Sequence, residues 1–234
     1  MRSITNLYLW VMVISVIVAG CNNSNSSASE VPGEERYYLD YLVTGEEGGD
    51  LVTCRFQFRL GGREGMAVAL PDSGRVELDG EVLQADSTKF TGVYYEANKP
   101  LSTFRGSHSI VVNMGNGQEF REEFEFIPFS FETELPPVLS RRDQIFKLRD
   151  FPLNRTPLRI VMTDTAFGTS WINKSIAVIN GEIPITTEML ARLKNGPIGL
   201  ELHREERKQL KDKSIRGGRM VIRYSLKREL ELGE

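Results

Sequence analysis

Apolar and polar residues alternate along most of the chain with a period of two, the repeat of a strand that buries one face. In Leu51-Val52-Thr53-Cys54-Arg55-Phe56-Gln57-Phe58-Arg59-Leu60, positions Val52, Cys54, Phe56, Phe58 and Leu60 share one face. Thr53, Arg55, Gln57 and Arg59 share the other. The pattern predicts a strand in which Cys54 is a small core residue. In Phe120-Arg121-Glu122-Glu123-Phe124-Glu125-Phe126, the three Phe fall on one face with Glu122, leaving Arg121, Glu123 and Glu125 for a solvated face. Further strands are expected over 37–44, 66–70, 75–78, 81–85, 92–96 and 107–113, with 119–126 completing the first half. In the second half they are expected over 144–148, 158–163, 175–179, 182–185, 198–204 and 219–230. Turn chemistry separates them: Gly61-Gly62, Pro71-Asp72-Ser73-Gly74, Asp79-Gly80, Gly115-Asn116-Gly117 and Asn180-Gly181 supply positive φ or side-chain turn bonds.

Only 187–194 reads as helical, from Thr187 to Asn195-Gly196 before Pro197, and it is expected to cross between sheets. The segment 205–213 reads as a solvated hairpin loop. Many short punctuated strands predict an all-β fold: two tandem immunoglobulin-like β-sandwich domains, 36–131 and 144–234. The linker is expected at 132–143, where Pro136-Pro137 cannot donate to a ladder and charged Arg141-Arg142-Asp143 follows. The Cys-Trp-Cys core of antibody-type domains is absent.

Ahead of the strands lies a secretory leader, 1–20. Arg2 is its only charged side chain, 7–19 are mostly apolar, and small residues end it. The apolar run is shorter than the about 20 residues of a membrane-spanning helix. Val18-Ala19-Gly20-Cys21 resembles the lipobox of bacterial lipoprotein precursors: an aliphatic residue, a small residue, Gly or Ala, then Cys. That resemblance implies acylation of the Cys21 thiol with diacylglycerol, then cleavage, and a mature chain held in a membrane by several acyl chains. One chain binds only marginally, each buried methylene contributing roughly 0.8 kcal/mol. Asn22, not Asp, follows the cysteine; by analogy with enterobacterial sorting this implies the outer membrane. The polar segment 21–35 is a flexible tether of about 15 residues, with a root-mean-square reach of roughly 20 Å and a stretched limit of about 50 Å.

Composition narrows the chemistry. With Cys21 as anchor, Cys54 has no partner and no disulfide framework exists. The net charge is −3, or −4 once Arg2 leaves with the leader, so nucleic-acid binding is not expected. No HExxH, CxxC, GxSxG, Walker or dinucleotide motif occurs, and no DxDxDG-type calcium loop. No catalytic residue, metal or cofactor is expected. Arg219, Arg223 and Lys227 form a basic strip read as the wet face of a final strand, or else as a strip for a partner or an anionic glycan.

The loop 164–171 carries the leading candidate contacts, Phe167 and Trp171, whose rings could stack on a sugar, anchor a protein interface, or cap the sandwich. Tyr94 and Tyr95 are a second pair, one ring expected inside and one outside. The leading function is a lipid-anchored, non-catalytic envelope module that binds a protein partner or assembles with itself. The alternative is a lipoprotein that captures a glycan, which exposed rings at Phe167 and Trp171 would favour. A third reading, an envelope hydrolase, needs His108 or His203 in a pocket beside a nucleophile or carboxylate.

Overall fold

The structure, a computed structural model, describes residues 37–152, 157–164, 171–211, 215 and 217–234. The leader, Cys21, the tether and Phe167 lie outside the described residues. Over the described residues the protein is all-β with one helical turn. Its first-half strands are β1 (Tyr37–Glu46), β2 (Leu51–Leu60), β3 (Met66–Val68), β4 (Arg75–Leu78), β5 (Glu81–Leu83), β6 (Ala85–Thr88), β7 (Gly92–Pro100), β8 (Gly106–Asn113) and β9 (Glu119–Phe126). Its second-half strands are β10 (Ser130–Phe131), β11 (Val138–Leu139), β12 (Gln144–Arg149), β13 (Leu158–Asp164), β14 (Trp171–Ile176), β15 (Glu182–Ile185), β16 (Gly196–Leu210) and β17 (Gly217–Leu232), with helix α1 (Thr187–Leu190) between β15 and β16.

Both halves contribute to one ten-stranded sheet, ordered β14-β13-β16-β17-β1-β2-β7-β6, with β3 added on β2 and β11 on β17. The second layers are separate: β5-β4-β8-β9 from the first half and β10-β12-β15 from the second. Residues 35–234 accordingly form one compact unit with a continuous core. The join is the parallel pairing of β1 with the first part of β17, Tyr38 opposite Gly217 through Glu46 opposite Ser225. Tyr224 marks the centre of the junction, its ring meeting Phe126 at 5.9 Å and Phe129 at 5.2 Å.

The long hairpin β16–β17 is the spine. It pairs without interruption from Gly196 opposite Leu232 to Leu210 opposite Gly218. Residues 205–210, expected as loop, therefore continue the strand: Glu205 and Arg207 lie on the outer face, Glu206 and Lys208 on the inner one find partners in Arg204 and Glu122, and the backbone stays laddered. β17 is not a final edge strand either: β16 flanks one side and β1 the other. Its basic residues are neutralised across the sheet, Arg219 by Asp40, Arg223 by Glu205 and Lys227 by Glu46.

Local chemistry explains other boundaries. Asp79-Gly80 and Asn180-Gly181 all take positive φ, 52° and 82° in the first pair and 53° and 77° in the second, as type I′ turns demand. The Asn180-Gly181 turn does not join two neighbouring strands of one sheet as expected. β14 ends at Ile176, and the chain crosses to the second layer, where β15 pairs with β12. The helix shrinks to one turn, capped by Thr186 Oγ1 accepting from Met189 N at 3.3 Å, and it does cross between layers. Arg141 and Asp143 are not free linker charges. Arg141 donates to the Leu193 carbonyl and to Asn195 Oδ1 at the end of the helical turn, while Asp143 Oδ1 accepts from Thr187 N at its start. Residues 132–134 and 136–138 are exposed, but within the segment expected as linker Val138–Leu139 form β11 on β17 and Leu139 is fully buried.

Cys54 is fully buried beside Val52, Phe56 and Phe58, and burial pushes its thiol up to about 12. It is a core residue and an inert one. On β9 the three Phe are buried and Glu122 shares their face, paired with Lys208 of β16.

Candidate functional site

The outer face of the ten-stranded sheet, away from both second layers, carries a groove of about 960 Å³. Register fixes its floor. Strand alternation turns Leu158, Ile160 and Met162 of β13, Ile198, Leu200 and Leu202 of β16, and Ile172 and Ile176 of β14 into the core. The intervening residues must face out, and pairing sets them in rows across the strands. One row reads Ser175, Arg159, His203, Ser225, Glu46. The row on one side reads Asn173, Val161, Glu201, Lys227, and beyond it Trp171, Thr163, Gly199. On the other side Glu205, Arg223, Thr44 and Thr53 continue the floor to β2.

Trp171 opens β14 instead of lying in the preceding loop, and it is 59 % exposed. Gly199, two strands away in its row, has no side chain to cover the indole. Among the described residues Arg159 is held by an amide and by no carboxylate: its Nε donates to Asn173 Oδ1 at 2.7 Å. His203 Nε2 lies 2.9 Å from Glu201 Oε2. Glu205 accepts from both Arg207 and Arg223. Burial pushes the Glu205 carboxyl up, but these two hydrogen bonds outweigh it and hold the group below its ordinary value. Beneath the floor, Arg204 turns into the core, 2 % exposed, with one Nη on Glu206 Oε2 at 2.6 Å; burial lowers its pKa.

Trp171 and His203 thus share one concave site. His108 lies elsewhere, on β8 within the first half's second layer. Its ring stacks on Phe104 at 3.7 Å, Nδ1 meets Asp79 Oδ2 at 2.7 Å, and Nε2 meets the Phe104 carbonyl at 3.1 Å. Each ring nitrogen lies against a protein oxygen, so both sides of the imidazole are turned to the protein. His203 has the carboxylate neighbour a hydrolase would need, but no hydroxyl among the described residues hydrogen-bonds to it.

Tyr94 and Tyr95 are both buried, 8 % and 6 % exposed, so neither presents a ring to a partner. Tyr94 does point to the outer side, but the Arg55 guanidinium covers its ring at 4.7 Å and its hydroxyl donates to Asp86. Tyr95 turns inward and its hydroxyl accepts from Leu70 N at 3.0 Å. Among the described residues no group of three or more His, Cys, Asp or Glu is placed to hold a metal, and no helix is long and apolar enough to cross a membrane.

No protein-family model matches the chain, and a search of curated proteins found no match. Solved structures similar to it include the IG1+IG2 pair of DIP-gamma, 10% identical over 81% of this chain and 94% of that one, with a TM-score of 0.23. The tetra-tandem repeat in the extending region of a large adhesion protein is 12% identical, over 83% of this chain and 49% of that one, with a TM-score of 0.25. Trypsin-activated alpha-2-macroglobulin from Escherichia coli is 15% identical over 83% of this chain and 16% of that one, with a TM-score of 0.24. Likenesses this distant carry no argument about function, and the all-β architecture rests on the strand pairing itself.

Proposed function

We propose that the chain is a non-catalytic binding module, held at a bacterial envelope by lipid on Cys21 and engaging an envelope macromolecule through the outer-face groove. The single observation that carries the binding reading is Trp171: a large, exposed aromatic ring on a rigid strand, set at the rim of a concave polar surface. Rings in that setting anchor ligands because they supply contact area at small entropic cost. Support for a non-catalytic role comes from the histidines, one with both nitrogens engaged and the other without a hydrogen-bonded hydroxyl. The anchor rests on the lipobox resemblance, and the outer membrane on Asn22. Envelope protein and glycan are the two occupants compatible with such a module, and exposure of Trp171 favours the glycan.

Two measurements test this. In cells, Cys21→Ser is expected to abolish labelling by an alkynyl fatty acid and partitioning into detergent. In vitro, residues 36–234, which carry the whole described core, are expected to sediment with isolated envelopes of the source bacterium. Trp171→Ala is expected to lose that sedimentation while keeping the fold. Equal sedimentation of both forms would refute the groove as the binding face.

A further inference from the structure

We infer that the groove takes an uncharged saccharide chain laid across the strands, with Trp171 as its stacking platform; this rests on the binding-module reading above and names its ligand class. Three properties of the surface select that chemistry.

The first is the kind of side chain around the indole. Asn173 is two residues along the same face of β14, and Arg159, His203 and Glu201 occupy the adjoining strands. These are planar groups offering donors and acceptors side by side, the arrangement that neighbouring sugar hydroxyls can pair with, while the indole supplies an apolar plane for a ring's C–H face. All four groups are already oriented in pairs: the Arg159–Asn173 bond and the Glu201–His203 contact fix their geometry before any ligand arrives. Such pre-organisation lowers the entropic cost of binding.

The second is charge. The outward-facing charged residues of the floor and its edge are Arg159, Arg207, Arg223 and Lys227 against Glu46, Glu201 and Glu205, and three of the four cations are already bound to these carboxylates. Arg207 and Arg223 both bond Glu205, and Lys227 pairs with Glu46. A phosphate or uronate polymer would have to compete with those internal carboxylates. A peptide interface would want a larger apolar centre than Trp171, Val161 and Leu51 provide.

The third is extent. From Trp171 on β14 to Leu51 and Thr53 on β2 the groove crosses five strand-to-strand intervals, about 24 Å at about 4.8 Å each. That is longer than a single sugar ring, and the groove is open, so the ligand is a chain and not a monosaccharide.

The test uses residues 36–234, in which Trp171 is the sole tryptophan, so intrinsic emission reports this site alone. The probes are neutral oligosaccharides (gluco-, manno-, xylo- and galacto-oligomers), acidic ones (oligogalacturonate and heparin fragments), and envelopes treated with periodate or with protease. The expected result is a saturable shift of Trp171 emission by a neutral oligomer, or, where the panel lacks the right sugar, envelope binding abolished by periodate and retained after protease. Trp171→Ala should weaken that binding by about tenfold or more, and Trp171→Tyr by less. Binding to acidic oligomers alone would overturn the uncharged ligand. Binding that needs Trp171 but survives periodate and is lost on protease treatment would overturn the saccharide while leaving the binding module intact. Envelope binding independent of Trp171 would remove both.

Discussion

The outer face of the ten-stranded sheet is built in two ways. Over the first half it is closed on itself. Arg219 makes a two-pronged pair with Asp40 at 2.8 and 3.0 Å, Arg59 donates to Gln57, Arg55 pairs with Glu96 at 2.7 Å, and the same guanidinium lies over Tyr94. Over the second half it is open: Trp171 is 59 % exposed, Arg159 is held among the described residues by the Asn173 amide, and Gly199, two strands away, adds no side chain to that row. Both regions obey the same alternation, so the difference is not one of secondary structure. It lies in whether neighbouring strands supply mutually satisfying side chains. A satisfied face contributes to stability, and a face with groups still accessible is suited to a ligand.

The contrast can be broken most forcefully at the spine that joins the two regions. Leu202→Ala, in the core beneath the groove, is expected to cost about 2–5 kcal/mol, and to destabilise both halves together because β16–β17 serves both. In a chain of residues 36–234 the probes are site-specific: Cys54 labels only when the first half opens, and Trp171 emission follows the second. Coincident denaturant midpoints for the two probes are expected; separated midpoints would mean that the shared sheet does not couple the halves.

Next in size is Asp40→Asn on the closed region, which strips the charge partner from Arg219 and Arg59. It should cost about 1–3 kcal/mol in urea denaturation, yet leave envelope sedimentation unchanged. Trp171→Ala on the open region should show the reverse, with lost sedimentation and a stability change within about 0.5 kcal/mol. If the two variants exchanged these phenotypes, the assignment of stability to one region and binding to the other would fail.

The pH dependence of Glu205 sharpens the boundary between the regions. Its carboxyl is held below the ordinary 4.5, so the stability it contributes is present above about that pH and disappears as pH falls through the lowered value. Glu205→Gln should therefore be less stable than the parent at pH 7, with the gap closing in acid. A gap that stays constant to the acid limit would show that the Arg207 and Arg223 bonds do not set that carboxyl. The smallest effect is expected at Phe90, 95 % exposed in the β6–β7 turn, where Phe90→Ser should shift stability by no more than about 0.5 kcal/mol.

Much of the fold is legible in the sequence. The alternation over 51–60 and 119–126 and the Asp-Gly and Asn-Gly turns reproduce β2, β9 and both type I′ turns, and Cys54 is placed correctly in the core. What alternation cannot state is which strand lies beside which. The parallel pairing of β1 with β17 brings residues more than 170 positions apart into register, and no local pattern encodes it. For that reason the groove escapes a sequence reading that isolates Trp171 and His203 separately. Arg159, Asn173 and Glu201 were not singled out in the sequence, because their convergence depends on the order β14-β13-β16. The length of β16 was misjudged because five charged residues within 205–211 resemble a loop, although Glu205 and Arg207 sit on the wet face and Glu206 and Lys208 are paired on the other. One ring of the Tyr94–Tyr95 pair does point inward and one outward, but the outward ring of Tyr94 is not accessible because the Arg55 side chain lies across it.

The most direct measurement is acrylamide quenching of Trp171 in residues 36–234, with and without isolated envelope fragments. A ligand seated in the groove predicts strong quenching of the free protein and marked protection on binding, with protection absent for Asn173→Ala combined with Arg159→Ala. Undiminished quenching of envelope-bound protein would contradict the groove as the binding face.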